Sequence, residues 1–173
     1  TLTIGGAVFV GCMVTPWAIL AIDFGSRRVG WGAVPLAETI AALAICYALG
    51  EGLGRLACLS FGCCYGKPLD TVPRRFRPAL RRLSTVFHGS TKKIAYADGL
   101  DGVRVVPVQA ITCVLYTTLA LVGVFLFLEG RPVAAFLATM PPTQIWRVVS
   151  EALRADYRGD HRFSAYQVMA LVT

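Results

Sequence analysis

The sequence predicts an all-α, polytopic transmembrane helical bundle with a small membrane-surface head segment. Three observations predict it. Hydrophobic residues make up 55% of the 173-residue chain and charged residues only 16%, where a soluble domain carries about 25%. Mean hydropathy is +0.61. Four apolar runs, at residues 2–22, 33–61, 105–128 and 133–153, each reach the roughly 20 residues a helix needs to cross the hydrocarbon core. Backbone groups in lipid must be satisfied within their own segment, so each run is expected to be a helix. A partial span is expected at 163–173. The chain starts with Thr1 inside an apolar run, without the charged first region of a signal peptide. We therefore expect a piece of a longer protein, read as a single membrane domain over 1–173.

In order, span 2–22 carries Gly5, Gly6 and Gly11, small residues that let helices approach closely. Pro16 is expected to kink it. Trp17 fits either a membrane interface or a buried seam. Residues 23–32 read as a loop holding Arg27 and Arg28. Span 33–61 ends in the Gly-rich stretch Gly50 to Lys67. Gly62 to Pro68 is the turn where the chain leaves the hydrocarbon. The head, about 64–104, is the sizeable polar segment. Pro68, Pro73 and Pro78 argue against a long helix at its start. Asp98-Gly99 and Asp101-Gly102 are turn signals for a hairpin within 84–101. Span 105–128 is opened by Pro107, and Glu129 to Pro132 is a tight connection. That makes the third and fourth spans antiparallel neighbours. Pro141-Pro142 is expected to interrupt the fourth.

Net charge is +7, and the excess is local: residues 67–104 hold nine Lys and Arg against three Asp. Such a segment suits anionic headgroups, an anionic substrate, or simply solvent beside a membrane helix. No aromatic-interleaved basic module appears, so nucleic acid is not an expected partner. Internal repeats of the transporter kind are absent, as are GxSxG and phosphate-loop patterns.

The chemistry-bearing stretch is GEGLGRLACLSFGCCYGK, residues 50–67. Ionisable groups at membrane depth are costly and are usually kept for a task. On a helix, Glu51, Arg55, Cys58 and Gly62 share one face. Glu51 can pair with Arg55 in the favourable order. Such a pair could also be purely structural, locking two helices together. Arg147, Glu151 and Arg154 repeat the one-sided pattern on the fourth span. A second cation facing the first would make a phosphate site. Cys58, Cys63 and Cys64 are clustered, but not as CxxC, and His88 and His161 are distant in sequence. The spacing is thus not that of a zinc site, and neither metal nor cofactor is expected. A disulfide to Cys58 or a covalent relay through these thiols stays open. Cys12, Cys46 and Cys113 sit in apolar runs as small core residues.

These residues resemble the prolipoprotein diacylglyceryl transferase family. Gly54-Arg55-Leu56-Ala57-Cys58 through Gly62-Cys63-Cys64-Tyr65-Gly66-Lys67 looks like the family signature, usually GRxGNFxNGE, and is closest to a branch reading GRxGCFxxGCCYG. Pro107 and Gln109 resemble its HPSQLYE. Trp146 to Arg154 is similar to its GxxRFxxExxR block, and residues 156–167 follow its tail. The resemblance implies a seven-helix enzyme of the bacterial inner (cytoplasmic) membrane. Such enzymes move the diacylglyceryl group of phosphatidylglycerol onto the Cys thiol of a lipoprotein precursor, releasing glycerol 1-phosphate. By match, Arg55 and Arg147 would be the catalytic arginines. Glu51, Cys58, Cys63, Tyr65, Gly66, Gln109, Glu151 and Arg154 would bind or support substrate. The phospholipid, a lipoprotein precursor or other thiol acceptor, and the membrane are the implied partners. This chain departs from the pattern at three places. The family's His before the Gly pair is Ile4, its Asn is Cys58, and its Glu is Cys63. Glu51 or His88 is then the substitute base, or the chain is a lipid-binding or assembly subunit without turnover. The resemblance puts the basic head outside the cytoplasm, against the positive-inside rule.

Overall fold

The computed structural model describes residues 4–155, with side chains from Val10 onward. The expected partial span at 163–173 and the tail at 156–167 lie outside the described residues. Among the described residues, six α-helices, one 3-10 turn and a two-stranded ribbon follow in order: α1 Ile4–Val29, α2 Leu36–Phe61, the 3-10 turn Leu69–Thr71, α3 Arg77–Leu83, β1 Thr85–Val86, α4 Lys93–Asp98, β2 Arg104–Val105, α5 Val108–Leu128 and α6 Pro132–Leu153. The all-α membrane architecture is the one the apolar runs predict. Among the described residues, α2 and α5 are long and apolar enough to cross a membrane, with only 28% and 22% of their most apolar windows buried. A soluble core helix would bury most of that surface; these turn Leu53, Leu56, Leu121 and Phe125 outward, as a lipid-facing helix does. α6 has the length of a span, but Gln144, Arg147 and Glu151 dilute its apolarity.

Three expectations are corrected. Helix α1 continues to Val29, through what reads as a loop. Asp23 and Arg27 pair at 2.9 Å, and Arg28 lies 4.3 Å from the Phe24 ring centroid, so the charged last turns hold themselves together. Helix α6 runs unbroken through Pro141 and Pro142. The hydroxyls of Thr139 and Thr143 donate to the carbonyls of Ala135 and Met140, adding bonds to the turns the prolines weaken. In the head, Gly99 (φ 62°) caps α4 instead of turning a hairpin, with its N–H and that of Leu100 returning to Ala95 and Ile94. The strands still pair antiparallel, Thr85 with Val105 and Val86 with Arg104, but a helix lies between them in the chain. Trp17 is 73% exposed, as a residue at a membrane interface is.

The chain forms two compact units. One holds residues 4–48 and 118–148 of the described chain. Its core gathers Ala41, Ile45 and Ala135 with Leu126, Phe127 and Phe136. Here α5 and α6 are antiparallel neighbours joined by Gly130 (φ 74°). Asp23 accepts from the Val34 N–H at 2.7 Å and so closes the connection from α1 to α2.

The other unit holds residues 49–117 and the described residues from 149 on. Tyr65, Phe87, Ile94 and Val105 form its main apolar cluster, with Leu59 and Leu100 against it. The head thus packs on the turn after α2 and is not a loose surface loop. A second cluster joins Val72, Val106 and Val108 to Leu80 and Leu153.

Candidate active site

In the second unit the site is built on the last turns of α2 and the strap that follows. Glu51 and Arg55 stand one turn apart on α2 and are bonded through Oε1 and Nη2, as their spacing predicts. Their side chains are only 10% and 15% exposed. Arg55 keeps a further donor: its Nε is buried without a hydrogen-bond partner. Leaving such a donor unsatisfied costs about 1–3 kcal/mol, so the guanidinium has hydrogen-bonding capacity left for a further partner. Arg55 lies within electrostatic reach of Cys58, Cys64 and Arg154.

Helix α2 ends because Gly62 turns left-handed at φ 63°. Cys63 N–H returns to the Cys58 carbonyl at 3.1 Å. Cys64 is itself left-handed, φ 57°, the one non-glycine with positive φ among the described residues. Such strain is held where surrounding structure over-determines it. The result folds Cys63 and Cys64 back over the helix end. The sulfurs of Cys58, Cys63 and Cys64 all lie within 4.8 Å of one another. Burial first, then the neighbouring Cys64, push the Cys63 thiol up from its ordinary value.

Beyond the thiols, Tyr65, Gly66 and Lys67 form an extended strap. Gly66 N–H donates to Val106 at 3.1 Å, Val106 N–H returns to Lys67 at 3.0 Å, and Lys67 N–H donates to Leu153 at 2.9 Å. Gly66 also bridges Arg154 backbone to backbone. A Cβ at Gly66 would stand 2.6 Å from the Val106 carbonyl oxygen, so only glycine fits between them. Arg154 and Glu151 approach at 4.0 Å. Gln109, at the mouth of α5, donates to the Cys63 carbonyl at 2.7 Å. Tyr65 Oη and Gln109 Oε1 are both buried and unpartnered, again with polar capacity left for a ligand. The structure therefore brings together Glu51 with Arg55, the three thiols with Gln109, and Gly66 with Arg154. His88 is exposed, its ring beside Gly102 in the head.

Arg147 belongs to the first unit. Its Nη1 donates to Tyr47 Oη at 2.7 Å. Tyr47 in turn lines a largely apolar groove of about 380 Å³ with Gly11, Thr15, Ile40, Phe136 and Met140. Arg147 is thus linked to that groove through the Tyr47 hydroxyl. Tyr47 escapes sequence reasoning because it is 100 residues from Arg147; only its place in a span hinted at it, since a Tyr hydroxyl there needs a partner.

Long apolar helices with their Leu and Phe side chains turned outward mark an integral membrane helical protein. The sequence profile of the prolipoprotein diacylglyceryl transferase family matches residues 1–173. The chain belongs to that family, whose members are membrane transferases acting on lipoprotein precursors and phospholipid. Neither a curated protein nor a solved structure matches it.

Proposed function

We propose that this chain moves the diacylglyceryl group of phosphatidylglycerol, or a similar anionic phospholipid, onto a thiol of a lipoprotein precursor or comparable acceptor, working as a multi-pass protein of the bacterial inner (cytoplasmic) membrane. The observation that carries the reading is Arg55, clamped by Glu51 yet left with a buried, unpartnered Nε. An acceptor thiolate attacks the glycerol carbon, the C–O bond breaks, and its electron pair leaves with glycerol phosphate. Charge grows on the leaving oxygen, and a fixed guanidinium in a dry site stabilises it more than the ground state. Arginine suits the task through its planar fork and permanent charge. Arg147, held by Tyr47 beside the apolar groove, binds phospholipid. Glu151 steadies Arg154, whose backbone bridges Gly66.

The test is turnover by full-length protein in lipid nanodiscs, with labelled phosphatidylglycerol and a Cys-containing lipobox peptide. Thioether product and glycerol phosphate are expected. Arg55→Ala and Arg147→Ala should each cut turnover by about 100-fold or more, the scale of losing one transition-state donor. Wild-type turnover in both variants refutes the assignment. One observation favours a second reading. Ile4 stands where the family resemblance places a His, which suits a lipid-binding or assembly subunit. That reading requires phospholipid retained through purification and no turnover. For topology, the head is placed outside the cytoplasm; Ser90→Cys should react with an impermeant maleimide on intact cells, and protection there reverses the orientation.

A further inference from the structure

The thiols of Cys58, Cys63 and Cys64 are not used by the arginine chemistry above. Spacing along the chain gave them no metal-site pattern, yet the fold assembles them. Their sulfurs lie within 4.8 Å of one another, and three thiolates on one zinc at bonds of about 2.3 Å sit roughly 3.8 Å apart. Binding would draw the sulfurs together by up to about 1 Å. The backbone is already set: Gly62 and Cys64 are left-handed, Cys63 N–H is tied to Cys58, and Gln109 fixes the Cys63 carbonyl. Such outer hydrogen bonds are what orient metal ligands. None of the six cysteines, these three included, is joined in a disulfide. Arg55 and Lys93 lie within electrostatic reach of the cluster, cations that offset the negative charge of three thiolates.

We propose that Cys58, Cys63 and Cys64 form a three-thiolate site for a zinc-class ion, with its fourth position taken by the sulfur of the acceptor. Thiolate donors select soft and borderline cations. Three protein ligands and one exchangeable position is the pattern of a catalytic zinc, where a structural one is closed by four. A thiol bound to such an ion gives up its proton. The acceptor sulfur is then a thiolate beside Arg55, the cation assigned to the departing phosphate. Its proton goes to solvent; its electron pair forms the C–S bond as the C–O bond to phosphate breaks. This rests on the transferase reading for the identity of the acceptor, but the site itself is tested without turnover.

The experiment uses full-length protein purified anaerobically in nanodiscs, reconstituted with zinc, and cobalt(II) as a spectroscopic replacement. One ion per chain is expected. X-ray absorption should give three sulfurs at about 2.3 Å and one lighter ligand. Adding a Cys-containing lipobox peptide should raise the count to four sulfurs and intensify the sulfur-to-cobalt charge-transfer bands; the same peptide with Ser for Cys should not. Cys58→Ser, Cys63→Ser and Cys64→Ser should each weaken binding by more than about 100-fold, since losing even an outer partner costs 10–100-fold. Cys113→Ser on α5 should leave it unchanged. Cys63→His, which restores a zinc donor, keeps the test open if the serine variants fold poorly and should retain the ion. No ion bound by reduced protein, occupancy indifferent to all three serine variants, a closed copper(I) site, or no added sulfur with the Cys peptide overturns the proposal. Four sulfurs without transfer from phosphatidylglycerol upholds the site and sinks the transferase reading. Transfer at full rate by protein that binds no ion when reduced does the reverse.

Discussion

Gly66→Ala is the sharpest structural test, because one methyl group is asked to break a strap joining three segments. The added Cβ would stand 2.6 Å from Val106 O, 2.7 Å from Val106 Cβ and 2.8 Å from Val108 Cγ2. That is about 1 Å short of ordinary van der Waals separation. Val106 cannot retreat freely, because its carbonyl accepts from Gly66 and its N–H donates to Lys67. Overpacking of this kind costs about 1–3 kcal/mol, and two lost hydrogen bonds add about 1 kcal/mol each. The strap should therefore lose about 3–5 kcal/mol. Hydrogen exchange in nanodiscs reads this locally, without assuming two-state unfolding of a membrane protein. The amides of Lys67 and Val106 should exchange more than about 100-fold faster, at 1.4 kcal/mol per tenfold. Gly50→Ala is the control. Its Cβ meets nothing within 4 Å, so the helix should gain up to about 1 kcal/mol. Wild-type exchange at both strap amides in Gly66→Ala would refute the close-packing argument.

Glu51→Gln removes the charge partner of Arg55 while keeping the shape, and should destabilise by about 3 kcal/mol, the scale of breaking a buried pair; a melting temperature equal to wild type would make the pair dispensable. Tyr47→Phe deletes the hydroxyl that Arg147 donates to at 2.7 Å. A charge-assisted bond is worth about 1.5–3 kcal/mol, so KM for phospholipid should rise about tenfold or more with kcat less affected. An unchanged KM would mean that Tyr47 does not orient Arg147. In metal-free protein, Cys63 should alkylate more slowly at pH 8 than a cysteine placed at Ser90. Thiolate is the reactive form, and burial and Cys64 raise the Cys63 thiol, so its rate should keep climbing with pH after Ser90→Cys has levelled off. A plateau at the same or lower pH contradicts that sign.

Much of this fold is legible from letters because lipid leaves the backbone few options. Apolar runs became α1, α2, α5 and α6, with Pro107 and Pro132 at the openings of the last two. Local charge spacing was equally readable: Glu51 and Arg55, four apart, do pair. Periodicity failed where a side chain could do either of two jobs. Gly99 can turn a hairpin or cap a helix through the same left-handed backbone, and apolar Ile94 and Leu100 decide for the helix by docking on the Tyr65 cluster. Pro141-Pro142 breaks a helix in water, where freed carbonyls find solvent; in an apolar setting no such partner exists, and α6 continues.

The site was harder to read for a related reason: its parts are joined by bonds between distant segments. Arg147 and Tyr47 sit 100 residues apart, Gln109 and Cys63 sit 46 apart, and no spacing rule spans such gaps. The thiols are the instructive case. Ligand motifs assume a turn of known length between donors. Here Cys58 is on the helix and Cys63 and Cys64 lie beyond it, so an extended exit would carry them apart. Gly62 and Cys64 both take left-handed backbone, and those two reversals lay the chain over the helix it has just left. Gly62 was a visible signal for the first. The second falls on a cysteine, a residue that avoids that conformation unless its surroundings enforce it. The Gly66 strap and the Gln109 bond supply that enforcement, which places the origin of the thiol cluster in Val106, Leu153 and Gln109, not in the cysteines themselves.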